Sequence, residues 1–264
     1  MTPERATVDC ETLVEARQRV AELSSLLQEE LGANLLALYL FGSLAAGRFH
    51  PSRSDLDLFA VVETGINGDG LASLEVLLAR YVAAHPAWDN RIEVGFVGRA
   101  VLQTFADSPA GSIVVVSPGE PLHAKEVEVG WLLNWYSVCT QGEVLYGVAP
   151  LEVGPALSVE VYKREVAGLL PQWRRDVRER WVAHSRSYQG YIVIAVCRAL
   201  YGLDTGQQTT KEEAAAWAAE RFPEWADFIN EALLWHRSDL SEPHATTIRF
   251  VDFAVDDVER KQND

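Results

Sequence analysis

Hydrophobic positions follow two regimes along the chain. Up to about residue 120, helical spacing alternates with short solid apolar runs; beyond about 155, only helical spacing is left. The stretch "VDCETLVEARQRVAELSSLLQEELGANLL" predicts an opening helix, with Leu13, Val14, Val20, Leu23, Leu27 and Leu31 recurring at helical spacing and Gly32 as its stop. "LLALYLF" (35–41) is too short for a helix and predicts a buried strand. Gly42-Ser43 breaks it, and "LAAG" makes a helical turn ended by Gly47. "DLDLFAVV" (55–62) predicts a second strand, alternating at its head and solidly apolar at its tail. After "TGINGDG", the stretch "LASLEVLLARYVAAH" has amphipathic helical spacing. "RIEVGFV" (91–97) predicts a third strand with Ile92, Val94 and Phe96 on one face and Glu93 on the other, and "SIVVV" (112–116) a fourth.

"GVAPLEVGP" (147–155) carries Gly and Pro at both ends and reads as a linker. Helical patterns follow. "LSVEVYKREVAGLLPQWRRDVRERWVAHS" is long, with Pro171 expected to kink or split it. "YQGYIVIAVCRALYGL" is apolar nearly all round, as a central bundle helix should be. "TKEEAAAWAAERF" starts at Thr210 and Glu213, which have capping-box spacing. "EWADFINEALLWHR" and "TIRFVDFAVDDVERK" complete a set of about five helices. The predicted fold is an α/β domain over 1–150, a mixed sheet with flanking helices, followed by an all-α helical bundle over 151–264.

The formal net charge of −15 argues against nucleic acid or an anionic membrane as partner, since both select basic surface. It is compatible with a cationic small molecule, and an acidic surface also serves solubility alone. Cys10, Cys139 and Cys197 form no CxxC and no even-numbered framework, and the last two read as small apolar residues in helices. The N-terminus lacks the apolar core of a signal peptide, and no run approaches the roughly 18 apolar residues of a membrane helix. The expected setting is the cytoplasm, and the expected state a monomer.

The chemistry concentrates in "LFGSLAAGRFHPSRSDLDLFAVV" (40–62). Asp55 and Asp57 are two apart at the head of an apolar strand, so their carboxylates share one face and repel each other unless something positive lies between them. Mg²⁺, a hard cation that takes one or two carboxylates together with substrate phosphates, relieves that repulsion. Glu93, in a later strand, joins them as metal ligand or as general base if its face is theirs. Gly42 permits close backbone approach to a phosphate, and Ser43 adds a hydroxyl donor. No GxxxxGK[ST], GxGxxG or HExxH pattern is present.

This stretch resembles the GS…SDxDL signature of the DNA polymerase β-like nucleotidyltransferases. "RIEVGFV", the helical second half and "ALYGLDTGQQTTKEEAAAWAAERFP" are similar to the streptomycin 3″/spectinomycin 9-adenylyltransferase type of aminoglycoside nucleotidyltransferase. The resemblance implies ATP as co-substrate, Asp55 and Asp57 as Mg²⁺ ligands, and Glu93 as catalytic base at the metal site. It implies Gly42, Ser43 and Ser54 at the nucleotide and Lys211 on the triphosphate. The implied reaction moves AMP from ATP to a hydroxyl of a cationic aminoglycoside held in a cleft between the domains. Arg198 is either a structural ion-pair member or a further ligand. Trp131 and Trp135 either wall the acceptor or pack the domain junction. In the streptomycin-modifying members an acid stands just ahead of the central apolar helix; "HSRSYQGYIVIAV" has none here. Two other readings share the motifs: transfer to a lincosamide, metabolite or protein hydroxyl, and a non-catalytic module of the kind that serves as an antitoxin.

Overall fold

The computed structural model describes residues 10–51, 54–235 and 244–263. The far N-terminal stretch and the side chain of Cys10 lie outside this set. Two compact units form, Met1–Leu157 and Ser158–Asp264.

In the first unit, α1 (Cys10–Leu31) leads into β1 (Leu35–Leu40), the one-turn α2 (Gly42–Ala45), β2 (Leu56–Val62), α3 (Gly68–Ala84) and β3 (Ile92–Gly98). Next come α4 (Arg99–Gln103), β4 (Ser112–Ser117), β5 (Glu120–Glu126), α5 (Val129–Gln141), β6 (Glu143–Gly147) and α6 (Pro150–Val153). The six strands make one mixed sheet in the order β5-β4-β3-β2-β1-β6. Only β2 and β3 pair in parallel; every other neighbouring pair is antiparallel.

Both faces of the sheet centre are covered, which is why its strands read as solid apolar runs rather than alternating ones. On one face Leu38, Leu40, Leu58, Ala60, Val94 and Phe96 pack with Leu23 and Leu27 of α1 and Leu74 and Leu78 of α3. On the other, Tyr39, Phe59, Val61 and Val97 meet Leu102 of α4 and Trp131, Leu132 and Trp135 of α5. Trp135 is fully buried; its ring centroid lies 5.3 Å from that of Phe59, and its indole N–H donates to the Pro155 carbonyl at 2.9 Å. Burial of side chains of this size contributes about 2–3 kcal/mol each.

Two local expectations are corrected by this packing, and one open alternative is decided. Residues 147–155 are no linker: Gly147 closes β6 against Ala37, Val153 is buried in the second core, and the unit boundary falls after Leu157 instead of at 150. Trp131 and Trp135 lie within the core of the first unit, so neither is a free aromatic wall. The sheet also has two strands, β5 and β6, beyond the four that the apolar runs mark.

The second unit contains α7 (Val159–Asp176), α8 (Arg186–Thr205), α9 (Lys211–Arg221), α10 (Ala226–Leu233) and α11 (His244–Asn263). The central α8 packs against each of the other four, and Ile192, Val193, Val196 and Cys197 are fully buried along it. Burial pushes the Cys197 and Cys139 thiols up to about 12, consistent with inert apolar roles. Pro171 lies inside α7 without breaking it; the helix ends instead after Asp176, and turns carry the chain to α8.

Candidate active site

β1 runs antiparallel to β2, and β2 parallel to β3. The C-terminal end of β1 and the N-terminal ends of β2 and β3 therefore share one end of the sheet. The expected acids lie there. Asp57 is the direct register partner of Glu93, so their side chains leave the sheet on one face, the face of Phe59 and Gly95. In β2 and in β3 alike, the second residue is the only one not fully buried: Asp57 in one, Glu93 in the other. Asp55 directly precedes β2 and is also half-buried.

The turn after β1 is built around Asp57. The Phe41 N–H donates to the Asp57 carbonyl at 3.0 Å, and Gly42 follows with φ +70°. A Cβ added to Gly42 would stand 2.0 Å from Asp57 Oδ2 and 2.8 Å from its Cγ. Only glycine supplies both that backbone conformation and that clearance. Ser43 is the next residue of α2, half-buried, with its carbonyl accepting from the Arg48 N–H at 2.8 Å.

Ser54 is tied back to His50. Its Oγ accepts from the His50 N–H at 2.8 Å, and its own N–H donates to the His50 carbonyl at 2.9 Å. The Ser54 carbonyl is gripped by Arg91, whose Nε donates at 3.1 Å alongside a second contact from Nη2. The Arg91 guanidinium lies 4.6 Å from the Trp88 ring centroid. Burial pulls its pKa below the usual value, with Asp55 and Glu15 acting the other way. Arg91 thus holds the segment that leads into Asp55 and Asp57, a role the sequence reading missed. Its signal was a lone arginine immediately ahead of the Glu93 strand.

Glu93 meets the helix covering its face: Asn134 Nδ2 of α5 donates to Glu93 Oε1 at 3.2 Å. One turn earlier on α5, Trp131 fills the space above Gly95, where an added Cβ would lie 2.2 Å from Trp131 Cζ3. Sequence reasoning missed Asn134 as well. Nothing in "VGWLLNWYS" marks it as polar with a purpose until α5 is laid on β3.

The donors at this end of the sheet are hard carboxylate oxygens. Among the described residues, no group of three or more His, Cys, Asp or Glu is gathered as a metal cage. Mg²⁺ does not need one, since one or two carboxylates suffice when phosphates and waters complete the shell. Asp57, beside the Gly42 clearance, and Asp55, two residues before it, are donors of that kind.

In the second unit, Lys211 is the exposed first residue of α9. Thr210 caps the helix by accepting from the Glu213 N–H at 3.3 Å. The Glu213 carboxylate also accepts from the Thr209 hydroxyl. Arg198 lies on the exposed side of α8 and donates from Nε to the Thr209 carbonyl at 3.1 Å. It braces the connection that presents Lys211. Among the described residues, no helix is long and apolar enough to cross a membrane.

Two family models match the sequence. Residues 20–97 match the nucleotidyltransferase domain, and residues 167–258 the C-terminal domain of aminoglycoside adenylyltransferases. No curated protein sequence matches the chain. Among solved structures, spectinomycin adenyltransferase AAD(9) from Enterococcus faecialis, determined with ATP and spectinomycin, is similar in fold. It is 18% identical, with 91% of this chain and 99% of that chain covered at a TM-score of 0.68. A toxin–antitoxin complex with AMP-PNP is 16% identical over 57% of this chain and 91% of that one, but its TM-score of 0.31 is below the level of a shared fold. The two family matches follow one another along the chain as its two units do, with Asp57 and Glu93 inside the first, and the chain is similar to aminoglycoside adenylyltransferases in both.

Proposed function

We propose that this nucleotidyltransferase moves AMP from ATP to a hydroxyl of a cationic aminoglycoside-type acceptor, with Mg²⁺ required and pyrophosphate released. The observation that carries the reading is the Asp57–Glu93 register on adjoining parallel strands, beside a turn whose glycine makes room for the Asp57 carboxylate. The structure of AAD(9) with ATP and spectinomycin supports the choice of nucleotide and acceptor class. Asp55 and Asp57 would hold Mg²⁺, and Glu93, which is not gathered with them into a three-ligand group, would serve the acceptor hydroxyl. The ion supplies charge neutralisation to the phosphates and leaving group.

The chain's own residues do the rest. Glu93 accepts the proton of the incoming hydroxyl, turning a poor nucleophile into a competent one as the bond to phosphorus forms. Gly42 lets the backbone approach the phosphates, and the Ser43 and Ser54 hydroxyls donate to the nucleotide. Lys211 offers the triphosphate a compact positive charge. The reaction is largely positioning and electrostatic stabilisation.

Pyrophosphate release from ATP and Mg²⁺, measured with spectinomycin, streptomycin, kanamycin-type drugs and lincosamides, tests the reading. Turnover with an aminoglycoside-type acceptor is expected. Asp57→Ala and Glu93→Gln should each lower kcat by at least about 100-fold. No turnover across the panel, or full activity in Glu93→Gln, would count against it.

A further inference from the structure

The Asn134 contact points beyond the acids themselves. An ionised carboxylate only accepts hydrogen bonds, so the amide must present its NH₂ to Glu93, as the 3.2 Å Nδ2–Oε1 contact has it. Glu93 is half-buried at the head of a strand, and a long carboxylate there has rotamer freedom that catalysis cannot use. The contact bridges two elements and removes part of that freedom.

Its register along the sheet is fixed independently. Trp131 stands one helical turn before Asn134 on α5 and fits into the gap above Gly95, which lies two residues after Glu93 on the same face of β3. A side chain at 95 would collide with the indole, so α5 has one seat on β3. That seat brings Asn134 to Glu93. Trp131 and Trp135 bury α5 against the sheet and keep it there.

We propose that Asn134 is a positioning residue for transfer: it holds the Glu93 carboxylate toward the acceptor hydroxyl, and the Trp131–Gly95 fit holds Asn134. The inference rests on Glu93 acting as the base. It concerns the geometry of the Glu93 oxygens, and the amide need touch neither nucleotide nor acceptor.

Steady-state kinetics on the full chain with ATP, Mg²⁺ and the best acceptor of the panel provide the test. Asn134→Leu keeps the branched outline at Cγ, though it is larger, and loses the donor. It should lower kcat about tenfold while KM for ATP and the melting temperature stay near wild type. Asn134→Gln, which keeps the amide on a longer arm, should recover part of the loss. In a Glu93→Gln background, Asn134→Leu should cost nothing further, because the two residues act as one unit.

Wild-type kcat in Asn134→Leu would overturn the role. So would a loss of the same size added on top of Glu93→Gln, or a kcat loss matched by a lower melting temperature and not relieved by Gln. Full activity in Glu93→Gln alone would remove the base assignment instead, so the two failures are told apart.

Discussion

Asp57 and Gly42 are a single steric unit at the residue scale. The carboxylate occupies the volume that any side chain at 42 would need, and the +70° φ of Gly42 adds a backbone penalty of about 1–3 kcal/mol for other residues. Gly47 provides an internal control, since it has the same φ of +70° with nothing within 4 Å of an added Cβ. Gly42→Ala should therefore lose more stability than Gly47→Ala in urea titrations, since it adds the clash with Asp57 to the same backbone strain. Only Gly42→Ala should also lose catalysis, by at least about tenfold in kcat, because it displaces Asp57. Equal activity in the two variants would mean that the carboxylate moves without consequence. The acids themselves were legible in the sequence because charge is conspicuous where burial excludes it. Arg91 and Asn134 were not, since each gains its meaning from a partner on another element: Ser54 and Asp55 for one, Glu93 for the other.

Elements buried on both faces were the legible ones. β1 to β4 stand out as runs of apolar residues, whereas the edge strands β5 and β6 leave much of their surface to solvent and carry charges such as Glu120, Lys125 and Glu143. Period alone cannot mark such a strand. Helix ends were harder still, because turns and caps rather than Pro171 terminate α7. That helix is tied to α11 by charge. Arg174 Nε donates to Asp252 at 2.9 Å, Arg178 Nη2 reaches both Asp252 oxygens at 2.7 Å, and Arg174 also meets Asp256. Burial pushes the Asp252 carboxyl up, but the two arginines more than offset this and leave it below its ordinary value. A depressed carboxyl contributes stability above its unfolded value of about 3.9 and loses it as pH falls through the folded value. Asp252→Asn should thus cost about 1 kcal/mol at pH 7, as expected of a half-exposed network. The gap to wild type in thermal melts should close below about pH 4. A gap that does not narrow as the pH is lowered further would show that charge is not its source.

For the whole molecule, the net charge of −15 matters more to encounter than to fold. With a polycationic acceptor, kcat/KM should fall as salt rises and the Debye length shrinks from about 10 Å at 0.1 M toward about 3 Å at 1 M, while kcat holds. A kcat/KM insensitive to salt would leave the acidic surface a solubility device. The parallel pairing of β2 with β3 has a consequence of another kind. Hairpins can form from neighbouring segments, but Asp57 and Glu93 meet only after the α3 crossover has closed, the slowest type of connection to make. No partly folded hairpin contains the site. A nucleotide bound there therefore rewards only chains that have completed the crossover, and ligand stabilises the finished topology over every intermediate on the way to it.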